Sequence, residues 1–119
     1  MWYYIVIGAV VLAVLVIWNK SSQVPTRVAQ ERLRQDAVIL DVRTEGEFRG
    51  GHLARAINLP LDRFEAGLSQ IVPDKGRPLL IHCQSGVRSK MATAIATRLG
   101  YTKAGNLGSL ARARSIVEP

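Results

Sequence analysis

The stretch LLIHCQSGVRSK, residues 79–90, carries the only cysteine of the 119-residue chain. An apolar run leads into Cys83, a short loop containing Gly86 follows, and a helical pattern begins near Arg88. This order sets the thiol at the carboxyl edge of a parallel sheet, where open α/β domains place ligand sites. It also sets the sulfur beside the first turn of a helix, whose unpaired N–H groups and positive dipole end favour an anion. A thiolate is stabilised there without a catalytic histidine, and a lowered pKa makes a cysteine nucleophilic at neutral pH. Gly86 lets the loop turn its amides inward, and Arg88 adds a fixed positive charge at the far end. Gln84, Ser85, Gly86 and Val87 serve through their backbone amides, with the Ser85 hydroxyl a further group for the ring. A lone cysteine is often a buried structural thiol. The loop points instead to a nucleophile, which needs an exposed thiol of low pKa.

Loop length separates two chemistries. Cysteine-dependent phosphatases share the His-Cys strand end and the Arg-Ser helix start, but their signature is C-x5-R. CQSGVR is C-x4-R, one residue shorter. A smaller ring of amides encloses one extra sulfur atom, or the end of a thiosulfate, more readily than a phosphoryl group bonded to sulfur. The count favours a persulfide.

Asp41 and Arg43 fall at the end of a second strand, near the same sheet edge, as an ion pair or loop brace, with Arg43 also placed to guide an anion. His82 precedes the cysteine within its strand, so alternation turns it to the opposite face, toward packing. Two histidines far apart with one cysteine make a poor metal site, so no metal is expected.

The elements that must position these residues are legible in outline. AVILDV, residues 37–42, is a β-branched run of the kind buried on both faces. AINLP gives a shorter strand ended by Pro60, and RPLLIH a third. Asp62 and Glu65 form a capping-box pattern ahead of Phe64, Leu68 and Ile71, predicting a helix from about Asp62 to before Pro73. Thr26 is placed to cap a short polar helix reaching about Arg34. Arg88 to Leu99 predicts a helix with Met91, Ala92, Ile95, Ala96 and Leu99 on one face and Gly100 as its C′ residue. Strands alternating with helices imply parallel pairing through right-handed crossovers, a small α/β domain.

Residues 2–18, WYYIVIGAVVLAVLVIW, hold no charge and give roughly 25 Å of helix. With Trp2, Tyr3, Tyr4 and Trp18 set like interfacial belts, they read as one transmembrane helix rather than a cleaved signal peptide, which carries a basic n-region and a small-residue cleavage site. The expected organisation is a span over residues 1–19, a linker over 20–26 and the α/β domain over 27–119. Lys20, Arg27, Arg32 and Arg34 follow the span and no basic side chain precedes it. By the positive-inside rule the domain then faces the cytoplasm at a bacterial inner membrane, and a single cysteine suits a reducing compartment. The net charge of +7 belongs almost wholly to the part after the span. It suits an anionic leaflet or small anionic substrates better than nucleic acid, for which no motif is present.

Three segments together resemble the single-domain rhodaneses, a sulfurtransferase family. DVRTEGEFRGGHLARAINLPL, residues 41–61, follows the pattern D-V-R, E-F, G-H-[IL], A-x-N-[IL]-P. HCQSGVRS follows the active loop, and MATAIATRLGY the helix after it. The similarity covers roughly residues 36–112 and is strongest toward the small phage-shock-type sulfurtransferases. It implies a rhodanese-like parallel sheet flanked by helices and a two-step cycle. Cys83 takes sulfane sulfur from a donor such as thiosulfate, holds it as a persulfide within the loop amides, and yields it to cyanide or a thiol, small or on a protein. No cofactor is implied, and His52 takes a bracing role. Where many members continue G-G-x-x-A-W, this chain has Leu107 and Arg112 in the places of the first Gly and the Trp, altering the wall beside the loop. The rival readings are a membrane-tethered, non-enzymatic module binding an anion or a protein, and a phosphatase or arsenate reductase on the same scaffold. An intact cysteine and the C-x4-R count argue against both.

Overall fold

The computed structural model describes residues 1–17 and 22–119 in full. Helix α1 (Trp2–Ser21) comes first, then α2 (Thr26–Arg34), β1 (Val38–Asp41), α3 (Glu45–Arg49), β2 (Ala56–Asn58), α4 (Leu61–Ile71), β3 (Leu79–His82), α5 (Val87–Arg98), β4 (Ala104–Gly108) and α6 (Leu110–Val117). The strands form one sheet in the order β2-β1-β3-β4, every pair parallel. This is the α/β architecture that alternating strands and helices require.

Side-chain alternation splits the core into two layers. Leu40, Val42, Leu79, Ile81 and Cys83 face the side covered by Phe64 and Leu68 of α4 and Ala92 and Ala96 of α5. Ile39, Leu80 and Leu107 face the side covered by Ala29 of α2 and Ala113 and Ile116 of α6. All four residues of β1 and of β3 are buried, as expected of runs apolar on both faces. Gly100, at φ 99°, ends α5 as predicted. Met91, placed by periodicity on the inner face of α5, is instead 54% exposed.

The capping box lies elsewhere than expected. Pro60 precedes α4 with no side-chain cap, and Pro25, not Thr26, holds the cap position of α2. The reciprocal pair is Thr44 and Glu47 at the start of α3. The Thr44 hydroxyl accepts from the Glu47 N–H at 3.2 Å, and the Glu47 carboxylate accepts from the Thr44 N–H at 3.0 Å.

The expected single-pass inner-membrane location is overturned, and the transmembrane span and membrane partner find no support. Among the described residues no helix is long and apolar enough to cross a membrane. Trp18 and Lys20, which the expectation used as belt and flank, lie outside the described residues. Residues 22–24 run alongside β4: Gln23 bridges Asn106 in parallel, and the Val24 N–H donates to the Asn106 carbonyl at 2.9 Å.

Candidate functional site

β3 delivers Cys83 to the carboxyl edge of the sheet, where its N–H donates to the Gly108 carbonyl at 3.1 Å. Gly86 closes the loop at φ 103°, the left-handed region, and a Cβ there would sit 3.4 Å from the Gly108 Cα. That conformation aims the Gly86 N–H at Cys83 Sγ, 3.0 Å away. Burial pushes the Cys83 thiol up. The Ser89 hydroxyl and the amides of Ser89, Gly86 and Ser85 outweigh it, and the net pKa lies below the ordinary thiol value.

The thiol is not exposed, contrary to the expectation from sequence: Cys83 is 0% accessible and forms part of the core layer under α5. Gln84, Ser85 and Val87 make the exposed rim above it. Gln84 contributes its side chain as well as its backbone, its Oε1 accepting from Arg43 Nη1 at 3.2 Å. Arg88 is turned to the rim rather than left bare. Its guanidinium grips the Glu47 carboxylate through two hydrogen bonds, of 2.6 and 3.0 Å. Beside it opens a cleft of about 330 Å³ lined by Val42, Thr44, Pro60, Leu61, Asp62 and Arg88. Larger clefts of about 560 and 420 Å³ lie along α2 and α4 and contain no residue of the loop.

Asp41 and Arg43 form a buried pair at the same edge, 0% and 3% exposed. Asp41 accepts from Arg43 Nε at 3.0 and 3.1 Å and from Nη2 at 2.8 Å. The same guanidinium donates to the Gly51 carbonyl at 2.8 Å and to Gln84, so it ties the end of β1, the turn after α3 and the cysteine loop together. Asn58 closes the bracket by donating to the carbonyls of Asp41 and Arg43, both at 3.0 Å.

His82 lies on the face opposite Cys83, in register with Asp41 across the β1–β3 pair. Burial pushes its pKa down and leaves it neutral, with Nε2 3.8 Å from the Asp41 carboxylate. His52 is exposed, stacked on Phe48 at 3.6 Å, with Nδ1 2.7 Å from the Phe48 carbonyl. Arg112, the departure noted beside the loop, donates to the Leu107 carbonyl at 2.7 Å and to the Val24 carbonyl.

Sequence reasoning missed Glu47, Ser89 and Asn106. Thr44 and Glu47 carried the same capping-box signal as Asp62 and Glu65. Ser89 followed Arg88 in a quoted motif, whereas nothing local marks Asn106.

The Arg88 hydrogen bonds and the Thr44 amide lower the Glu47 pKa from its ordinary 4.5 to about 2. A carboxylate depressed on folding contributes stability that is present above its unfolded value and lost as pH falls toward its folded one. Both side chains are about one-third exposed, so the pair contributes about 1 kcal/mol or less. Thermal unfolding across pH 5 to 2 should show Glu47→Gln less stable than wild type at pH 5 and the difference gone near pH 2; parallel curves would refute the assignment.

Comparison with known proteins agrees with this architecture. The Rhodanese-like domain family matches residues 25–110. Thiosulfate sulfurtransferase PspE of Escherichia coli is 34% identical over 71 residues, covering 60% of this chain and 68% of that protein. A sulfurtransferase of Allochromatium vinosum is 35% identical over 82 residues, 67% of this chain and 75% of that one. Among solved structures, a rhodanese with anions from E. coli matches with TM-score 0.60 at 32% identity, over 62% of this chain and 87% of that one. The human single-domain sulfurtransferase TSTD1 matches with TM-score 0.65 at 27% identity, over 82% and 98%. With its cysteine loop at the carboxyl edge of a parallel sheet, this chain belongs to the rhodanese-like family of sulfurtransferases.

Proposed function

We propose that the chain is a sulfurtransferase of the thiosulfate type that carries sulfane sulfur on Cys83. The observation that supports it most is the Gly86 N–H, 3.0 Å from Cys83 Sγ within a C-x4-R loop. The Cys83 thiolate attacks the outer sulfur of thiosulfate, a new S–S bond forms, and sulfite leaves with the electron pair of the old one. The outer sulfur of the persulfide then carries the negative charge, beside the loop amides. Cyanide or a thiolate attacks that outer sulfur, the Sγ–S bond breaks, and Cys83 departs as thiolate, giving thiocyanate or an acceptor persulfide. Asp41 and Arg43 support the loop through Gln84, and the cleft beside Arg88 is the approach for donor and acceptor.

Full burial of the thiol favours a second reading, a non-enzymatic module that uses the loop to bind an anion or a protein. Intact mass of the purified chain before and after thiosulfate separates the two. One added sulfur on wild type, absent from Cys83→Ala, is the expected result; an unmodified wild type gives the second reading.

A further inference from the structure

We propose that the Ser89 hydroxyl is a movable donor, turned to Cys83 Sγ whenever that sulfur is a thiolate and parked on Asn106 whenever it is neutral, as thiol or persulfide. The cycle part of this assignment rests on Cys83 being the sulfur carrier.

Ser89 and Asn106 are 0% and 1% exposed, on α5 and β4 behind the loop. The Ser89 Oγ lies 2.7 Å from Asn106 Oδ1, 3.1 Å from the Gly86 carbonyl and 3.4 Å from the Gly108 carbonyl. One hydroxyl hydrogen therefore faces three oxygen acceptors. Each acceptor has another donor: Asn106 Oδ1 takes the Gly108 N–H at 2.8 Å, the Gly86 carbonyl the Lys90 N–H at 3.1 Å, and the Gly108 carbonyl the Cys83 N–H at 3.1 Å. The hydroxyl can leave any of them without orphaning a buried polar atom, which would otherwise cost more than the bond itself.

The sulfur is the one neighbour whose need changes. Gly86 sits between the two groups, its carbonyl toward the hydroxyl and its N–H on Sγ. A thiolate sealed from water requires donors, and the Ser89 hydroxyl is the strongest group holding the Cys83 thiol below its ordinary range. When the outer sulfur bonds to Sγ, the charge passes outward and the hydroxyl returns to Asn106. When the acceptor breaks that bond, the electron pair comes back to Sγ and the hydroxyl turns to it. Ser89 thus serves chiefly the discharge step, where Cys83 is the leaving group. Asn106 is a positioning residue that acts through Ser89.

The single cysteine makes the test direct. Alkylation of the full chain by iodoacetamide across a pH series, read by intact mass, reports the thiolate midpoint. Ser89→Ala should raise that midpoint by about one pH unit, a roughly tenfold loss of alkylation at neutral pH. Above both midpoints Ser89→Ala should load from thiosulfate at least as fast as wild type, because the lost donor stabilised the attacking thiolate and not the persulfide, yet pass sulfur to cyanide about tenfold more slowly. Ser89→Thr keeps the hydroxyl and should restore the midpoint. Asn106→Ala removes the parking acceptor, so its midpoint should stay at or fall below that of wild type, and the double variant should match Ser89→Ala. An unmoved midpoint in Ser89→Ala, or a raised one in Asn106→Ala that adds in the double variant, overturns the assignment. Should Ser89→Ala not fold, Asn106→Ala decides alone by the same criterion. Alkylation needs no sulfur donor: shifted midpoints in a chain that takes no sulfur sink the proposed function alone, and sulfur uptake with unmoved midpoints sinks this inference alone.

Discussion

Replacing Arg43 by methionine is expected to destabilise the domain by about 3–5 kcal/mol, the usual cost of leaving a buried charge without its partner. Asp41 is fully buried and takes three hydrogen bonds from this guanidinium, and the polar groups that remain beside it, the residue 43 N–H and the neutral His82 ring at 3.8 Å, bring no compensating charge. For a domain of this size each kcal/mol lowers the melting temperature by about 4–8 °C, so the fall should be at least about 12 °C. The double variant Asp41→Leu/Arg43→Met should be more stable than Arg43→Met, because it orphans no charge. Both should take up sulfur slowly, since Gln84 has lost the donor that ties the loop to Gly51 and β1. Arg43→Lys should not rescue uptake, because one ammonium cannot reach Asp41, Gly51 and Gln84 in the geometry of a planar fork. Calorimetry and a sulfur-loading time course on the same samples test both halves. A single variant as stable as the double would show that the Asp41 charge is solvated after all.

The contrast between Asp41 and Asn106 shows what a sequence makes legible. Asp41 closes an apolar run of β-branched residues, so its strand, its edge position and its partner two residues on could all be read locally. β2, β3, α4 and α5 are equally local, each having a proline or glycine close to at least one end and an apolar pattern of its own. β4, with the sequence AGNLG, has no such signal. It holds Gly105 because the Val24 side chain occupies the space a Cβ would need, a reason that lies 81 positions away in the chain. The α3 turn is too short for periodicity, and α6 mixes arginines with its apolar face. The loop residues 83–88 were likewise a local pattern. Glu47, which Arg88 grips, and Asn106, which accepts from Ser89, are set by how helices and strands pack, which no window of sequence displays. The misplaced capping box has a similar cause: Asp62 and Glu65 fit the pattern, but Pro60 already occupies the cap position of α4.

Gly86→Ala is expected to cost sulfur loading about 10²–10³-fold, the range found when one preorganised hydrogen-bond donor is lost from a charge-stabilising site. Gly86 is held at φ 103°, ψ −9°, where an L side chain is strained by about 1–3 kcal/mol. The added Cβ meets the Gly108 Cα and carbonyl carbon at 3.4 and 3.5 Å, ordinary van der Waals contact, so the cost comes from the left-handed backbone itself. Relief comes by rotating the peptide, which swings the Gly86 N–H off Cys83 Sγ and the Gly86 carbonyl off the Ser89 hydroxyl. The thiol pKa should rise as those donors leave a sulfur that burial already disfavours as a thiolate. Gly100→Ala is the control, because it imposes a comparable strain at φ 99° at the far end of α5, where the nearest atoms belong to the flexible Lys75 side chain. Both variants should melt several degrees below wild type, and only Gly86→Ala should lose loading and shift the pH midpoint of alkylation. Equal loading in the two would mean that the Gly86 amide does not hold the transferred charge, and the cup of donors around Cys83 would be architecture rather than chemistry.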